Sequence, residues 1–169
     1  MSTATAVTTL ARLAGANLSD YQDAAWTAGE NSGAYSWILQ EWYAPEARWA
    51  AANHILTEDL FTGREVLPRA SLAVMMKRFL DQQGVVVTVP EDLPAFSDAD
   101  AVRSYGAEAE DAFRILHYAD VFRGDSSRAM LPGAATKRTH LAATLHRLSD
   151  YIIGYWEAKA NEDTGENHS

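Results

Sequence analysis

One short segment of the chain occurs three times, and this repetition restricts the possible folds more than any other feature of the sequence. The segment VTTLARL near the start returns as AVMMKRF and again as AATLHRL. Aligned on Arg12, Arg78 and Arg147, the copies stand 66 residues (78 − 12) and 69 residues (147 − 78) apart. A spacing this regular predicts tandem copies of one supersecondary unit that cannot bury its apolar face alone.

The composition narrows the class of protein and its partners. Of the 169 residues, 47% are hydrophobic, which is typical of a folded chain. The net charge of −9 opposes binding to nucleic acid or to an anionic membrane surface. The lack of cysteine excludes disulfides and thiol nucleophiles. No apolar run is long enough for membrane insertion, and MSTATAVTTL does not resemble a signal peptide, so an export signal is expected to be absent from this chain.

The repeat period divides the chain into about two and a half units. Residues 1–15 are predicted to be the last helix of a truncated first unit, followed by full units at 16–83 and 84–155 and a polar tail at 156–169. We predict an all-α fold of helix-loop-helix units, with the repeated helices packed as a central three-helix bundle of pseudo-threefold symmetry. Each repeated helix carries an apolar stripe at helical spacing: Ala6, Leu10 and Leu13; Leu72, Met75, Met76 and Phe79; Leu141, Leu145, Leu148 and Ile152.

Proline and glycine positions predict where the helices begin and end. The second unit is predicted to hold helices at about 43–53 and from Pro68, with Pro45 in the first turn of the former. The third unit is predicted to hold helices at about 104–119 and 136–155.

The segments outside these helices are predicted to be loops. Gly15 and Gly84 are expected to end the repeated helices in the left-handed conformation. Residues 85–90 are predicted to be an extended linker, with an edge strand as the alternative. The tail from 161 is expected to fray. The aromatic residues Trp26, Tyr35 and Trp37 are expected either to cover the top of the bundle or to form an exposed patch for a partner.

Several short motifs recur in one order, and in that order they resemble the S-layer homology (SLH) repeat. That repeat has an F-S-D start, a G-I-x-x-G turn, an x-P loop and a T-R-A-E segment that opens its second helix. The chain offers WYAP at 42–45, LPRASL at 67–72, FSD at 96–98, VFRG at 121–124, LP at 131–132 and KRTH at 137–140. The resemblance covers roughly residues 1–150.

The resemblance implies a non-catalytic, cofactor-free module that anchors a bacterial surface protein to the cell wall or S-layer, outside the cell. It implies a secondary cell-wall polysaccharide with pyruvate ketals as the ligand, bound in grooves between neighbouring repeats, and other surface-protein domains or subunits as further partners. The arginine of T-R-A-E contacts the acidic sugar in the family. Carried onto this sequence, the ligand-binding candidates are Arg69, Arg138, Lys137, Gly124, Trp49 and Trp42.

The chemistry of these residue types agrees with an acidic sugar, although each has a structural alternative. A guanidinium pairs with a carboxylate through two parallel hydrogen bonds, and a helix N-terminus favours an anion. Arg69 and Arg138 are otherwise exposed residues near a helix start, and Trp42 and Trp49 otherwise fill the core. Arg12, Arg78 and Arg147 are interpreted as structural, because a cation near a helix C-terminus favours the macrodipole.

The chain also departs from the family pattern. Thr3 replaces the arginine of T-R-A-E in the first copy. The glutamate is replaced by Thr5, Ser71 and His140, and turn glycines are replaced by His54, Glu58 and Asp120. Histidine and aspartate tolerate the left-handed turn, whereas Glu58 would repel an acidic ligand. These departures favour the alternative function, a degenerate SLH-like structural or protein-interaction module without glycan binding. No catalytic motif or metal-ligand spacing is present, so neither an enzyme nor a metal site is expected.

Overall fold

A computed structural model describes residues 1–23 and 34–165 of the chain, so the interpretation of Trp26 lies outside the described residues. Within this part of the chain the protein has no β-strand, and the predicted all-α class is confirmed. Short 3-10 helices lie at Ser19–Tyr21 and Glu58–Leu60. The α-helices are α1 (Thr3–Leu13), α2 (Ala44–Ala52), α3 (Arg69–Gln82), α4 (Ala99–Ser104), α5 (Ala107–Tyr118) and α6 (Arg138–Gly165).

Local chemistry explains several of the helix ends. The Ser2 hydroxyl accepts a hydrogen bond from the Thr5 amide and caps α1. Pro45 lies in the first turn of α2 as predicted, whereas Pro68 is the N-cap of α3, one position before the turn expected for it. Gly15 and Gly84 follow α1 and α3 with φ values of +60° and +70°, so the predicted left-handed caps are confirmed.

The third unit differs from the prediction at both of its helices. The helix expected at 104–119 begins only at Ala107, after Gly106, whose φ of +100° no helical residue adopts, and a separate short helix, α4, precedes it. The last helix was expected to end near Tyr155 but continues to Gly165, and its final described side chains are exposed. Alanines and an ion pair between Lys159 and Glu162 support this extension. Residues 85–90 form no strand, which agrees with the extended linker.

The predicted apolar stripes face the core. The stripe residues of α3 are fully buried, and Leu10 and Leu148 of α1 and α6 are buried with them. Leu13 is an exception, because it is 36% exposed and lies outside the core, whereas Ile152 is partly buried and packs against the core. Helix α3 packs against α5, and α1 packs against α2. The buried hydrophobic residues from Ala4 to Leu148 form one cluster.

Three extended segments meet where the repeated helices begin. The Leu67 amide donates to the Met1 carbonyl over 2.7 Å, and the Thr136 amide donates to the Leu67 carbonyl over 3.3 Å. The Met1 amino group donates to the Thr136 carbonyl over 3.1 Å, so the three hydrogen bonds close a ring. Beside this ring, the Arg69 amide donates to the Ala134 carbonyl, which holds the start of α3 against the loop that precedes α6.

Candidate functional site

Arg69, the first residue of α3, carries a buried guanidinium that the rest of the chain holds rigidly. The residue is 5% exposed. Its Nε donates to the Met130 carbonyl over 2.8 Å and its Nη2 donates to the Arg123 carbonyl over 3.1 Å. Its Nη1 lies 2.9 Å from Nδ1 of His140, and its Cζ lies 4.6 Å from the ring centroid of Phe122. Every guanidinium nitrogen therefore has a partner.

No carboxylate in the described part of the chain forms an ion pair with Arg69. Burial lowers the pKa of the Arg69 guanidinium, and the more distant charges of Asp98 and Asp125 oppose that shift without cancelling it. Arginine nevertheless stays protonated in proteins. A buried positive charge without a counter-charge is costly, and an anion bound beside it removes much of that cost. The site therefore favours a negatively charged ligand.

The guanidinium borders a small cavity of about 70 Å³ that is rich in positive charge. The lining residues are Arg69, Phe122, Arg123, Gly124, His140, Thr144 and Arg147. Arg147 donates from Nη1 to the Val121 carbonyl over 3.0 Å and, within residues 1–23 and 34–165, has no ion-pair partner either. Two guanidinium groups that form no ion pair within the described chain thus face one cavity. The net charge of the whole chain is −9.

Arg123 differs from the other two arginines because Asp120 neutralises it. Arg123 donates from Nε and Nη2 to the two carboxylate oxygens of Asp120 over 2.7 and 2.6 Å. These hydrogen bonds lower the pKa of the Asp120 carboxyl. Asp120 also takes the left-handed turn expected of it, with φ of +56°, as does His54 with φ of +59°. The turn at Asp120 is therefore joined by an ion pair to Arg123, which lines the cavity.

Carboxylates and a glycine shape the loop that holds Arg69. Asp98 accepts hydrogen bonds from the amides of Met130 and Leu131 over 2.9 and 2.8 Å, and Asp125 accepts one from the Ala129 amide over 2.9 Å. At Gly124 a Cβ atom would lie 2.8 Å from both the Ala129 carbonyl oxygen and the Met130 methyl carbon. Only glycine allows the loop to close so tightly that two of its carbonyls reach Arg69.

Replacing Gly124 with alanine is expected to lower the free energy of unfolding by about 1–3 kcal/mol, because backbone atoms must move to admit the methyl group. Urea denaturation measures the change. Gly154→Ala is the matched control, since a Cβ there meets nothing within 4 Å in the interior of α6. That variant is expected to gain up to about 1 kcal/mol from helix propensity. Equal stabilities of the two variants would contradict the tight closure of the loop.

The other predicted site residues lie elsewhere. Arg138 and Lys137 are exposed at the start of α6, outside the cavity lining, although the charge of Lys137 acts on the pKa of His140. Trp49 is 6% exposed and belongs to the core, so it is not available to stack on a sugar. Trp42 is 63% exposed and meets Tyr43 edge to face. Tyr35 and Trp37 pack against the core, in part through Phe61.

Sequence reasoning missed the partners of Arg69. Its place near a helix C-terminus predicts a structural role for Arg147, and the sequence shows His140 only as a departure from the T-R-A-E pattern. The available signal was that both residues lie in the third copy of a motif whose second copy supplies Arg69. Because the contact between Arg69 and His140 spans 71 residues, spacing within one unit could not reveal it.

The positions one repeat earlier lack these features. Sixty-six residues before Arg69 stands Thr3 (69 − 66), which is buried and shares a hydrogen bond with Thr62. Arg78, sixty-nine residues before Arg147 (147 − 69), donates from Nε and Nη2 to the carboxylate of Glu108, both over 2.7 Å. Arg78 lines a groove with Asn53, His54, Thr57, Asp81 and Gln82, and its charge is already neutralised by an internal carboxylate.

Glu108→Gln is expected to lower the free energy of unfolding at neutral pH by about 0.2–1 kcal/mol, the range for a partly exposed pair. The hydrogen bond from Arg78 lowers the pKa of Glu108 below its ordinary value of 4.5. This contribution is therefore present above about pH 4.5 and is lost as pH falls through the lower, folded-state value. Urea denaturation between about pH 7 and pH 2.5 checks that the difference from wild type disappears in acid. A difference unchanged at the lowest pH would contradict the ion pair as its source.

Comparisons with protein-family models, with curated proteins and with solved structures find no match for this chain. Among the described residues, no helix is both long and apolar enough to cross a bilayer. The same residues hold no group of three or more histidine, aspartate or glutamate side chains placed to bind a metal ion.

Proposed function

We propose that the chain is a non-catalytic SLH-like module that binds an anionic secondary cell-wall polysaccharide at the cavity beside Arg69 and so anchors a protein to a bacterial cell envelope. The observation that carries this proposal is the buried Arg69 guanidinium, held by two carbonyls and a histidine but without an ion-pair partner in the described chain. A pyruvate ketal presents a carboxylate that meets this need.

The proposed arrangement is a set of SLH-like units around a pseudo-threefold axis. It is supported by the hydrogen-bonded ring of Met1, Leu67 and Thr136, which are separated by 66 (67 − 1) and 69 (136 − 67) residues, the spacing of the repeats. The turns at His54 and Asp120, also 66 residues apart (120 − 54), share the left-handed conformation. Residues of α1, of α3 with its C-cap Gln83, and of α6 line one cavity of about 210 Å³, so the three repeated helices approach one another there.

The binding mechanism follows from the hydrogen bonds that Arg69 already makes. The Met130 and Arg123 carbonyls and His140 fix the plane of the guanidinium, so little side-chain entropy is lost when a ligand binds. Each terminal nitrogen makes one of its two hydrogen bonds within the chain and keeps a second N–H for a ligand oxygen. Arg69 also begins α3, where the helix dipole adds to the positive potential.

The net charge of −9 opposes an acidic polymer at long range. At physiological salt that repulsion is screened beyond about 8–10 Å, whereas contacts inside the cavity are screened much less. Binding then proceeds without electrostatic steering, and its salt dependence reflects only the contact charges. Lys137 and Arg138, exposed near the start of α6, are proposed to contact further parts of the same chain of sugars.

The second candidate function is a structural or protein-interaction module that has lost glycan binding. The ion pair between Arg78 and Glu108 favours this candidate, because the arginine that lines the Arg78 groove is already paired with a carboxylate of the same chain. Thr3 and Glu58, which stand where the Arg69 region has Arg69 and Gly124, remove the anion-binding features of the same groove. The two candidates differ in what they predict for the Arg69 cavity.

Isothermal titration with pyruvate tests the cavity directly. Arg147→Gln is expected to weaken pyruvate binding by about tenfold or more, because it removes one of two unpaired charges. Arg12→Gln changes the matching arginine of the first copy, which is exposed on α1, and is expected to leave affinity unchanged. Equal affinities for both variants, or no binding by folded wild-type protein, would favour the interaction module.

A further inference from the structure

We propose that His140 is itself a ligand-binding residue of the Arg69 cavity and binds the anion as an imidazolium, so that each anion bound takes up one proton. This inference rests on the proposed function of the cavity. It adds a residue that the SLH resemblance does not supply, because His140 stands where the T-R-A-E pattern has glutamate.

The contact with Arg69 defines the protonation state of His140 in the empty cavity. Nη1 of Arg69 lies 2.9 Å from Nδ1 of His140. A guanidinium can only donate hydrogen bonds, so Nδ1 must be the acceptor and carries no proton. His140 is therefore a neutral imidazole with its proton on Nε2, and a proton added to Nδ1 breaks this hydrogen bond.

The charges around His140 all favour that neutral form. Arg69 faces it from α3, Arg147 faces it from α6, and Lys137 lies just before α6. Although His140 as a whole is exposed, partial burial of its ring is the largest cause that lowers its pKa, and the charges of these three groups lower it further. On the loop side, Arg123 is paired with Asp120, while Asp98 and Asp125 act on Arg69. These charges agree with the neutral, accepting imidazole that the contact with Arg69 requires.

An anion in the cavity reverses this balance. Its negative charge offsets the repulsion between an imidazolium and the neighbouring guanidinium groups. Once Nδ1 is protonated, Arg69 and His140 both donate, and an anion between them accepts from each. The pKa of His140 is therefore higher in the complex than in the free protein. By linkage, affinity increases as pH falls, by at most about tenfold per pH unit between the two pKa values, and is constant outside that window.

Titration calorimetry with pyruvate between about pH 5 and pH 8 tests the inference, because pyruvate itself does not titrate in this range. Wild-type affinity is expected to rise by about tenfold towards pH 5, and buffers of different ionisation enthalpy are expected to reveal uptake of up to one proton. NMR titration of His140 is expected to show a higher pKa with pyruvate than without it.

The variant that isolates the effect is His140→Asn, whose side-chain oxygen still accepts from Arg69 but cannot gain a charge. Its pyruvate affinity is expected to be independent of pH. His146→Asn is the matched control on the same helix, since His146 is exposed and faces Asp150 instead of the cavity. Its pH profile is expected to match wild type.

Pyruvate binding that is independent of pH in wild-type protein, or a pH dependence that survives in His140→Asn, would overturn the role of His140 and leave the anion site intact. Failure of folded wild-type protein to bind pyruvate at any pH would overturn the proposed function and this inference together. The two results are therefore distinguishable.

Discussion

Replacing Arg69 with alanine is expected to abolish anion binding and to lower the free energy of unfolding by about 2–4 kcal/mol. The stability is lost because the Met130 and Arg123 carbonyls, which accept from Arg69, lose their donor inside the protein. Removal of an unpaired buried charge offsets part of this cost. Urea denaturation gives the stability change, and titration with pyruvate gives the loss of binding.

Arg69→Lys keeps the prediction testable if the alanine variant does not fold. Lysine retains the positive charge but cannot reproduce the planar contacts to Met130, Arg123 and His140, so pyruvate affinity is expected to fall by about tenfold or more. Arg103→Ala is the control, because Arg103 is exposed and, among the described residues, forms ion pairs with Asp100 and Glu110. Its stability is expected to change by less than about 0.5 kcal/mol. Unchanged binding by either Arg69 variant would exclude this cavity as the anion site.

Replacing Phe113 with alanine is expected to lower the free energy of unfolding by about 3–5 kcal/mol, the range for a large buried side chain. Phe113 on α5 is 0% exposed and meets Phe122 edge to face, with ring centroids 5.4 Å apart. Because Phe122 lies beneath the Arg69 guanidinium, the cavity left by Phe113 is also expected to loosen the anion site and weaken binding.

Guanidinium chloride denaturation measures the stability of the Phe113 variant, and the same protein serves for titration with pyruvate. Val86→Ala is the control, because Val86 is 71% exposed on the linker after α3 and its change is expected to stay within about 0.5 kcal/mol. A loss of less than about 1 kcal/mol for Phe113→Ala would contradict the packing that joins the core to the site.

Features that depend on local chemistry could be predicted from the sequence. The apolar stripes, the left-handed caps at Gly15 and Gly84 and the left-handed turns at His54 and Asp120 each follow from a residue and its immediate neighbours. The start of α5 after Gly106 could not be predicted, because a single glycine in a helical pattern is often tolerated. Similarly, nothing local stops α6 at Tyr155 when good helix formers follow it.

Only part of the candidate site could be predicted, because some of its residues come together through tertiary contacts. Arg69 and Gly124 come from motifs read along the chain, whereas His140 and Arg147 join them through tertiary packing across about 70 residues. Trp49 illustrates the converse, since an aromatic residue on a helix is compatible with either a groove or the core until its neighbours are known.

Co-sedimentation with bacterial cell walls tests the anchoring proposal most directly. Intact Gram-positive walls and walls stripped of secondary polymer are compared, using wild-type protein, Arg147→Gln and the matched control Arg12→Gln. We predict that wild type and Arg12→Gln sediment with intact walls only, and that Arg147→Gln stays in solution. Folded wild-type protein that stays in solution with intact walls, or that sediments equally with stripped walls, would contradict anchoring through an anionic wall polymer.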